Sequence, residues 1–544
     1  MRQNSFAPSR ALLLACTAPA VAFFAAFWLL PIVQLIALPA SKGWETYLVV
    51  LTHPRYLQSL LQTLGLSLAV TLATLVLGAA VGITLARHRF TGRQLLLSLL
   101  TLPLSFPGVI IGFFMILLGG RQGLVADLTD ALGLGRITFA YGLAGLFLAY
   151  LYFSLPRAVA TYTAAAGAMD AALEEAARSL GAPRWRVVRD VWVPELAPTT
   201  LSCGAIVFAT AMGAFGTAFT LSSKFEVLPI TIYNEFTNYA NFALAASLSI
   251  TLGLITWVVL WLSRRVAGPA PAAGGVTTTM RTTQQASFPL LALTALVAAF
   301  MLAPIALSVM AGLVNNYSTG ISSGLTTRWL HEVWDLYGGT VGWSLSLALL
   351  CVLGNLLLGV PCAYALARSR SRAARLFEEL LTLPVAVPGL ASALALIRAY
   401  GTLQGFRTSF AFILVGHMVF TLPFMVRTVG AAFQRKELLS LEEAARSLGA
   451  SFGQRFLGVL VPAVLPAIVA GSLMVFTLSV GEFNLTWMLH TPLTRTLPVG
   501  LADSYASMRI EIGSAYTLIF LIVILPVLWG LQAVGTLIEK HHGT

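Results

Sequence analysis

Long apolar runs separated by short polar stretches dominate the chain. They fall near 11–38, 59–86, 95–118, 137–165, 197–221 and 241–263, then near 287–313, 342–367, 377–399, 408–433, 463–488 and 513–537. A helix needs about 20 apolar residues to cross hydrocarbon about 30 Å thick. Backbone groups find no water there, so runs of this kind are predicted as helices. Proline and glycine interrupt several runs, which membrane helices tolerate. The pattern predicts an all-α polytopic membrane protein with twelve transmembrane helices and both termini on one side.

Composition agrees with the pattern. Apolar residues make up 58% of the 544 positions and charged residues 10%, whereas a soluble domain carries about 25%. A string of soluble domains is excluded. With the N-terminus inside, 23 of the 33 basic residues fall on the inner side, including Arg87, Arg157, Arg178, Arg368 and Arg446. Basic residues concentrate in cytoplasmic loops, so the bias predicts cytoplasmic termini. It also accounts for the net charge of +12 without nucleic acid. The run at 11–38 is too long for a cleaved signal and reads as a retained first span.

Candidate chemistry within the chain is sparse. Only Lys42, Lys224, Lys436 and Lys540 are lysines, and none follows glycine. The phosphate-cradling GxxxxGK[ST] loop is therefore missing. Cys16, Cys203, Cys351 and Cys362 all lie in apolar runs, where neither disulfides nor a metal cluster is expected.

The sequence repeats itself. EEAARSLGA occupies Glu174–Ala182 and again Glu442–Ala450, 268 positions later. LTLPLSFPG at Leu100–Gly108 pairs with LTLPVAVPG at Leu381–Gly389, 281 positions later, as do Gly78 with Gly359 and Arg87 with Arg368. The chain divides into a first repeat at 1–265, a flexible Gly/Pro/Ala/Thr-rich linker at 266–286 and a second repeat at 287–544. Six spans is an even number, so the repeats run parallel. A pseudo-two-fold axis along the membrane normal, with a pathway between the halves, is the expectation.

Each repeat carries a conspicuous inner loop, at 170–194 and 438–462. Helix formers lead to Gly181 or Gly449, which supplies a helix stop. A basic amphipathic stretch follows and is expected to lie at the membrane surface before re-entry at a Val-Pro pair. A rigid knob kept twice, in otherwise diverged halves, points to one cytoplasmic surface met twice.

The spacing Glu175-Ala176-Ala177, Gly181, Val191, Val193, Pro194 resembles the signature of membrane permeases of ABC importers. Glu443-Ala444-Ala445, Gly449, Val459, Val461, Pro462 repeats it. Valines stand where the family has isoleucine and leucine. The whole chain resembles the fused two-domain, 6+6-span type I permeases of the ferric-iron, thiamine, polyamine and aminoethylphosphonate group. The stretch from Gly120 to Tyr141-Gly142 and the run Ser479–Phe483 are similar to the iron and thiamine members. The resemblance implies that Glu174, Glu175, Ala176, Ala177 and Gly181, with Glu442, Glu443, Ala444, Ala445 and Gly449, dock two copies of a separate cytoplasmic ATPase. That ATPase would hold ATP and Mg; no cofactor is expected on this chain. A periplasmic binding protein would deliver a small polar solute, and alternating access would carry it across the bacterial inner membrane.

Within the spans, Glu482 is the one clear acid, and the first repeat has Ala214 in its place. Either it lines the translocation pathway, or it is a buried carboxylate satisfied by Asn484, Thr486 or backbone amides at a helix break. His417 reads as a satisfied packing residue and Arg398 as a snorkelling side chain. Pro103, Pro107, Pro384 and Pro388 predict paired kinks. An ion-gradient-driven transporter is the alternative; it would need several embedded acids, and a membrane enzyme would need a clustered nucleophile or His/Asp set.

Overall fold

The computed structural model describes residues 9–88, 90, 92–222, 225–267, 288–369, 371–506 and 509–542. All but the first two residues of the expected linker lie outside the described residues. Among the described residues there is no strand, only an isolated bridge between Val314 and Leu325. In chain order the helices that matter are α1 (Arg10–Phe24), α2 (Leu30–Ala37), α3 (Pro54–Arg87), α4 (Gly108–Gly119), α5 (Leu143–Ala168), α6 (Ala171–Ser179), α7 (Val193–Met212), α8 (Phe215–Leu221), α9 (Leu228–Thr237) and α10 (Phe242–Ala267). They continue as α11 (Phe288–Leu313), α12 (Arg328–Arg368), α13 (Gly389–Tyr400), α14 (Phe410–Phe433), α15 (Lys436–Ser447), α16 (Leu465–Gly481), α17 (Asn484–Leu489), α18 (Leu497–Ala506) and α19 (Ile510–His542).

Ten helices among the described residues are long and apolar enough to cross a membrane, and twelve if each of two sharply bent pairs counts as one span. The twelve match the apolar runs one for one. Several runs are broken, two of them at the repeated prolines where paired kinks were expected. The 95–118 run divides around Pro103 and Pro107, and its second part begins at Gly108. Its repeat bends by 106° between Ala386 and Gly389. Proline lacks the amide that would continue the ladder, and its ring clashes with the preceding turn. The fifth span of each repeat is also interrupted, between Met212 and Phe215 and between Gly481 and Asn484. At the other extreme α12 has 41 residues, about 60 Å at 1.5 Å per residue, and starts well before the predicted 342.

The chain condenses into two compact units, and these do not follow the expected division at 265 and 287. One contains the described residues of 42–327 and 509–515; the other contains those of 1–41, 328–508 and 516–544. The first helix of the chain thus belongs with the second repeat, and α11 belongs with the first. Apolar faces look alike in sequence, so repeat alignment carries no signal for this exchange.

In the unit built on the first repeat, α3 packs closely on α5. A Cβ placed on Gly78 would sit 2.5 Å from the Ala158 Cβ, and one on Gly82 would sit 2.8 Å from the Val159 carbonyl oxygen. The two glycines are four apart, the spacing that lets membrane helices approach backbone to backbone. Tyr152 fixes α11 here by donating to the Met301 carbonyl at 2.8 Å. The Thr63 hydroxyl accepts the Leu228 amide at 2.8 Å and caps α9.

In the unit built on the second repeat, α12, α14 and α16 form the core around Tyr364, Met425, Phe433 and Val475. α1 joins this unit through Phe24, whose ring meets Phe377 edge-on at 5.8 Å. A π-helical turn at Ala25–Leu29 then carries Trp28, and Tyr400 donates to the Ala26 carbonyl at 2.7 Å. Ser344, 281 positions after Thr63, accepts the Leu497 amide at 2.7 Å and caps α18.

Candidate functional site: two repeated loops and a broken span

Each repeated loop is a short helix followed by a left-handed glycine. In the first, the Asp170 carboxylate caps α6 by accepting the Ala172 amide at 2.9 Å. α6 ends at Ser179, and Gly181 has φ +78°. In the second, α15 ends at Ser447 and Gly449 has φ +80°. A side chain at either glycine would be strained. The Ser451 and Gln454 side chains then form a reciprocal capping box that restarts the helix.

The stretch after Gly181 departs from the expected surface-lying segment. Trp185–Met212 runs as one helical span of 28 residues. After Gly449 the equivalent stretch does turn away, because Phe452–Ala463 meets α16 at 72°. Pro466 follows that bend as Pro198 follows the same position in the first copy, so proline alone does not set the difference.

The two glutamates of each loop face opposite ways. Glu174 turns inward, bridging Arg87 at the end of α3 and Arg178 one turn on. The Arg87 guanidinium also lies 3.6 Å from the centre of the Trp192 ring. Glu442 is buried, accepting from Arg368 Nε at 2.9 Å and from the Tyr364 hydroxyl. Arg368 also donates to the Phe433 carbonyl at 2.7 Å. Both repeats therefore brace the loop helix to the last turn of the span beginning at Pro54 or Arg328. Glu175 and Glu443 are exposed. Beside them Leu180 and Leu448 are each 88% exposed.

The second candidate is the break that carries Glu482. The Glu482 carboxylate accepts the Leu485 amide at 2.7 Å, and its carbonyl accepts the Thr486 hydroxyl at 2.9 Å. The side chain borders a small cavity with Trp28, Gly389, Ser392 and Phe420. His417 is buried beside the break and bonds Ser479 and Thr486.

The loops and breaks fall inside two matches to one family model, described as binding-protein-dependent transport system inner membrane component, over residues 75–268 and 355–540. The chain belongs to this family. It is an ABC importer permease with both halves on one polypeptide. Sulfate permease 2 of Chlamydomonas reinhardtii chloroplasts is 32% identical over 260 residues, 46% of this permease and 69% of that protein. Molybdenum transport system permease protein ModB of Escherichia coli K12 is 33% identical over 225 residues, 40% of this permease and 96% of ModB. The probable ABC transporter permease protein y4fN of Sinorhizobium fredii is 27% identical over 469 residues, 82% of each chain.

One other charged residue of the permease falls differently from the sequence reading. Arg157, counted there as an inner-side residue, sits within α5, donating to the Thr210 hydroxyl at 3.1 Å. The helix runs through Pro156 without a break, so that proline marks no loop. Arg398 is exposed in the last turn of α13. The sequence reading missed the braces. Their signal was available: Arg87 and Arg368 recur at one offset, and Glu174 and Glu442 recur at another.

Proposed function

We propose that this permease is the translocation subunit of an ATP-driven importer of a small polar solute. Two copies of a separate ATPase, which holds ATP and Mg, engage the loops at 170–194 and 438–462 on the cytoplasmic face, where both termini also lie. A periplasmic binding protein delivers the solute at the outer face of the bacterial inner membrane. Closure of the ATPase pair shifts the permease between inward- and outward-open states, each stabilised by different contacts. Glu482 lines the path.

One observation carries the reading: two loops present the same outward pair, Glu175 with Leu180 and Glu443 with Leu448, at the same glycine turn. The test is reconstitution with the ATPase and binding protein. Glu175→Ala with Glu443→Ala abolishes solute-stimulated ATP hydrolysis while the permease stays folded. Hydrolysis that still follows the binding protein as in the parent would reject the docking role.

Substrate choice rests with the binding protein. Relatives named for sulfate and molybdenum match single halves, while segments near Gly120 and Ser479 resemble iron and thiamine permeases. A thermal-shift screen of the cognate binding protein against oxyanions, ferric complexes, thiamine and polyamines separates these classes.

A further inference from the structure

FSLP at Phe153–Pro156 recurs as FTLP at Phe420–Pro423, 267 positions later. This register puts Tyr150 and His417 at the same place on the fourth span of their repeats. Both side chains reach the break in the fifth span. Tyr150 donates to the carbonyl of Ala214 at 2.8 Å, and Ala214 is the residue that aligns with Glu482. His417 reaches to either side of Glu482, with Nδ1 2.9 Å from the Ser479 hydroxyl and Nε2 2.7 Å from the Thr486 hydroxyl. The first repeat has Ala211 and Ala218 in place of that serine and threonine. The first repeat thus meets its break with a neutral bond to the Ala214 carbonyl, where no acid is present.

The protons in the second repeat can be assigned. Thr486 has one hydroxyl proton and donates it to the Glu482 carbonyl. Its oxygen can then only accept, so His417 Nε2 carries the ring proton and Nδ1 accepts from Ser479. The His417 backbone is held as well. Thr421 donates to the His417 carbonyl at 2.7 Å, and Asn355 on α12 donates to Thr421 at 2.9 Å. A fixed imidazole thus clamps the last turn of α16 to the first turn of α17. Glu482 lies between those turns, its carboxylate on the Leu485 amide.

We infer that His417 is the positioning residue that aims the Glu482 carboxylate. This rests on the reading of Glu482 as a pathway residue. The polar clamp is confined to the repeat that carries the acid, although the scaffold forms the same break without it.

The test is a double-mutant cycle read as solute uptake, at equal amounts of assembled permease, ATPase and binding protein in proteoliposomes. His417→Ala and Glu482→Gln each lower uptake about tenfold. The double variant is no worse than Glu482→Gln alone, because residues acting through one another are not additive. His417→Gln, which keeps a donor and an acceptor, recovers most of the uptake. Should His417→Ala fail to assemble, H417Y/S479A/T486A imports the anchor of the first repeat and is expected to assemble with reduced uptake. Full uptake by that variant, or multiplicative losses in the cycle, overturns the positioning role alone. Uptake by Glu482→Gln within twofold of the parent removes the pathway reading of Glu482, and the positioning role with it.

Discussion

Arg368 closes on Glu442 across 74 residues of chain, Nε to carboxylate at 2.9 Å, with the Tyr364 hydroxyl on the other carboxylate oxygen. The side chains are 5% and 11% exposed. Arg87 and Glu174 make the same pair in the first repeat. A surface ion pair contributes little, but removing one partner of a buried pair leaves an uncompensated charge and costs about 3–5 kcal/mol. These braces tie the loop helix to a membrane span, so movement of one is passed to the other.

With the ATPase docked at the loops as proposed, reversing one charge is expected to uncouple the permease before it unfolds the membrane core. Arg368→Glu is expected to lower solute-stimulated ATP hydrolysis at least tenfold relative to basal hydrolysis. Arg368→Glu with Glu442→Arg restores much of it. Stimulated and basal rates in the reconstituted complex provide the check; equal loss in the single and double variants would count against the brace.

Leu180 and Leu448 are the most exposed leucines of their loops, at 88% each. Burying one leucine against a partner is worth about 1.5–3 kcal/mol. Leu180→Asp with Leu448→Asp is expected to abolish copurification with the ATPase and to leave the permease monodisperse. Each single change weakens capture about 10- to 100-fold. Pull-down across a range of ATPase concentrations measures this.

Gly82 has no room for a methyl group, since the Val159 carbonyl would lie 2.8 Å from its Cβ. Gly65, on the same helix, has nothing within 4 Å. Gly82→Ala is expected to destabilise by about 1–3 kcal/mol through overpacking, whereas Gly65→Ala is neutral or stabilising. Thermal loss of the monodisperse chromatographic peak in detergent ranks the two; the reverse order would reject the close α3–α5 packing.

Phe24 and Phe377 hold α1 in the unit of the second repeat. With the four free cysteines replaced by serine, F24C/F377C is expected to be joined by a bifunctional methanethiosulfonate reagent, whose disulfide links are reducible. A protease site inserted between positions 268 and 287 makes the result visible, because the cut fragments stay joined until reduced. Fragments that separate without reductant would reject the exchanged position of α1.

The twelve apolar runs and the repeated loops were legible because their signals are local: length, hydropathy, a glycine stop, identical residues at a fixed spacing. Glu175 and Glu443 were legible as repeated residues for the same reason, and both are exposed. Glu174 and Glu442 were legible as repeated residues but not as inward-facing ones, since their facing depends on Arg87 and Arg368 some 80 positions away. Glu482 stood out as an acid in a span, but its pairing with the Leu485 amide depends on where the helix breaks. His417 read as a satisfied packing residue, and it is one, bonded to Ser479 and Thr486. Its role appears only when α14, α16 and α17 meet, and hydropathy does not encode that meeting.

The exchange of first helices also sets an order of birth. α1 is made first, yet the helices it joins begin at Arg328, 287 residues after Ser41. At about 5–20 residues per second, Phe24 and Trp28 wait roughly 15–60 s before their partners exist. During that interval α1 must be sheltered by lipid or by the insertion machinery. A ribosome that stops after the first repeat leaves α1 without its mates and leaves the unit at 42–327 without α11. Truncated chains should therefore be recognised as orphans and degraded, and quality control rather than chemistry becomes a reason to keep both halves on one message.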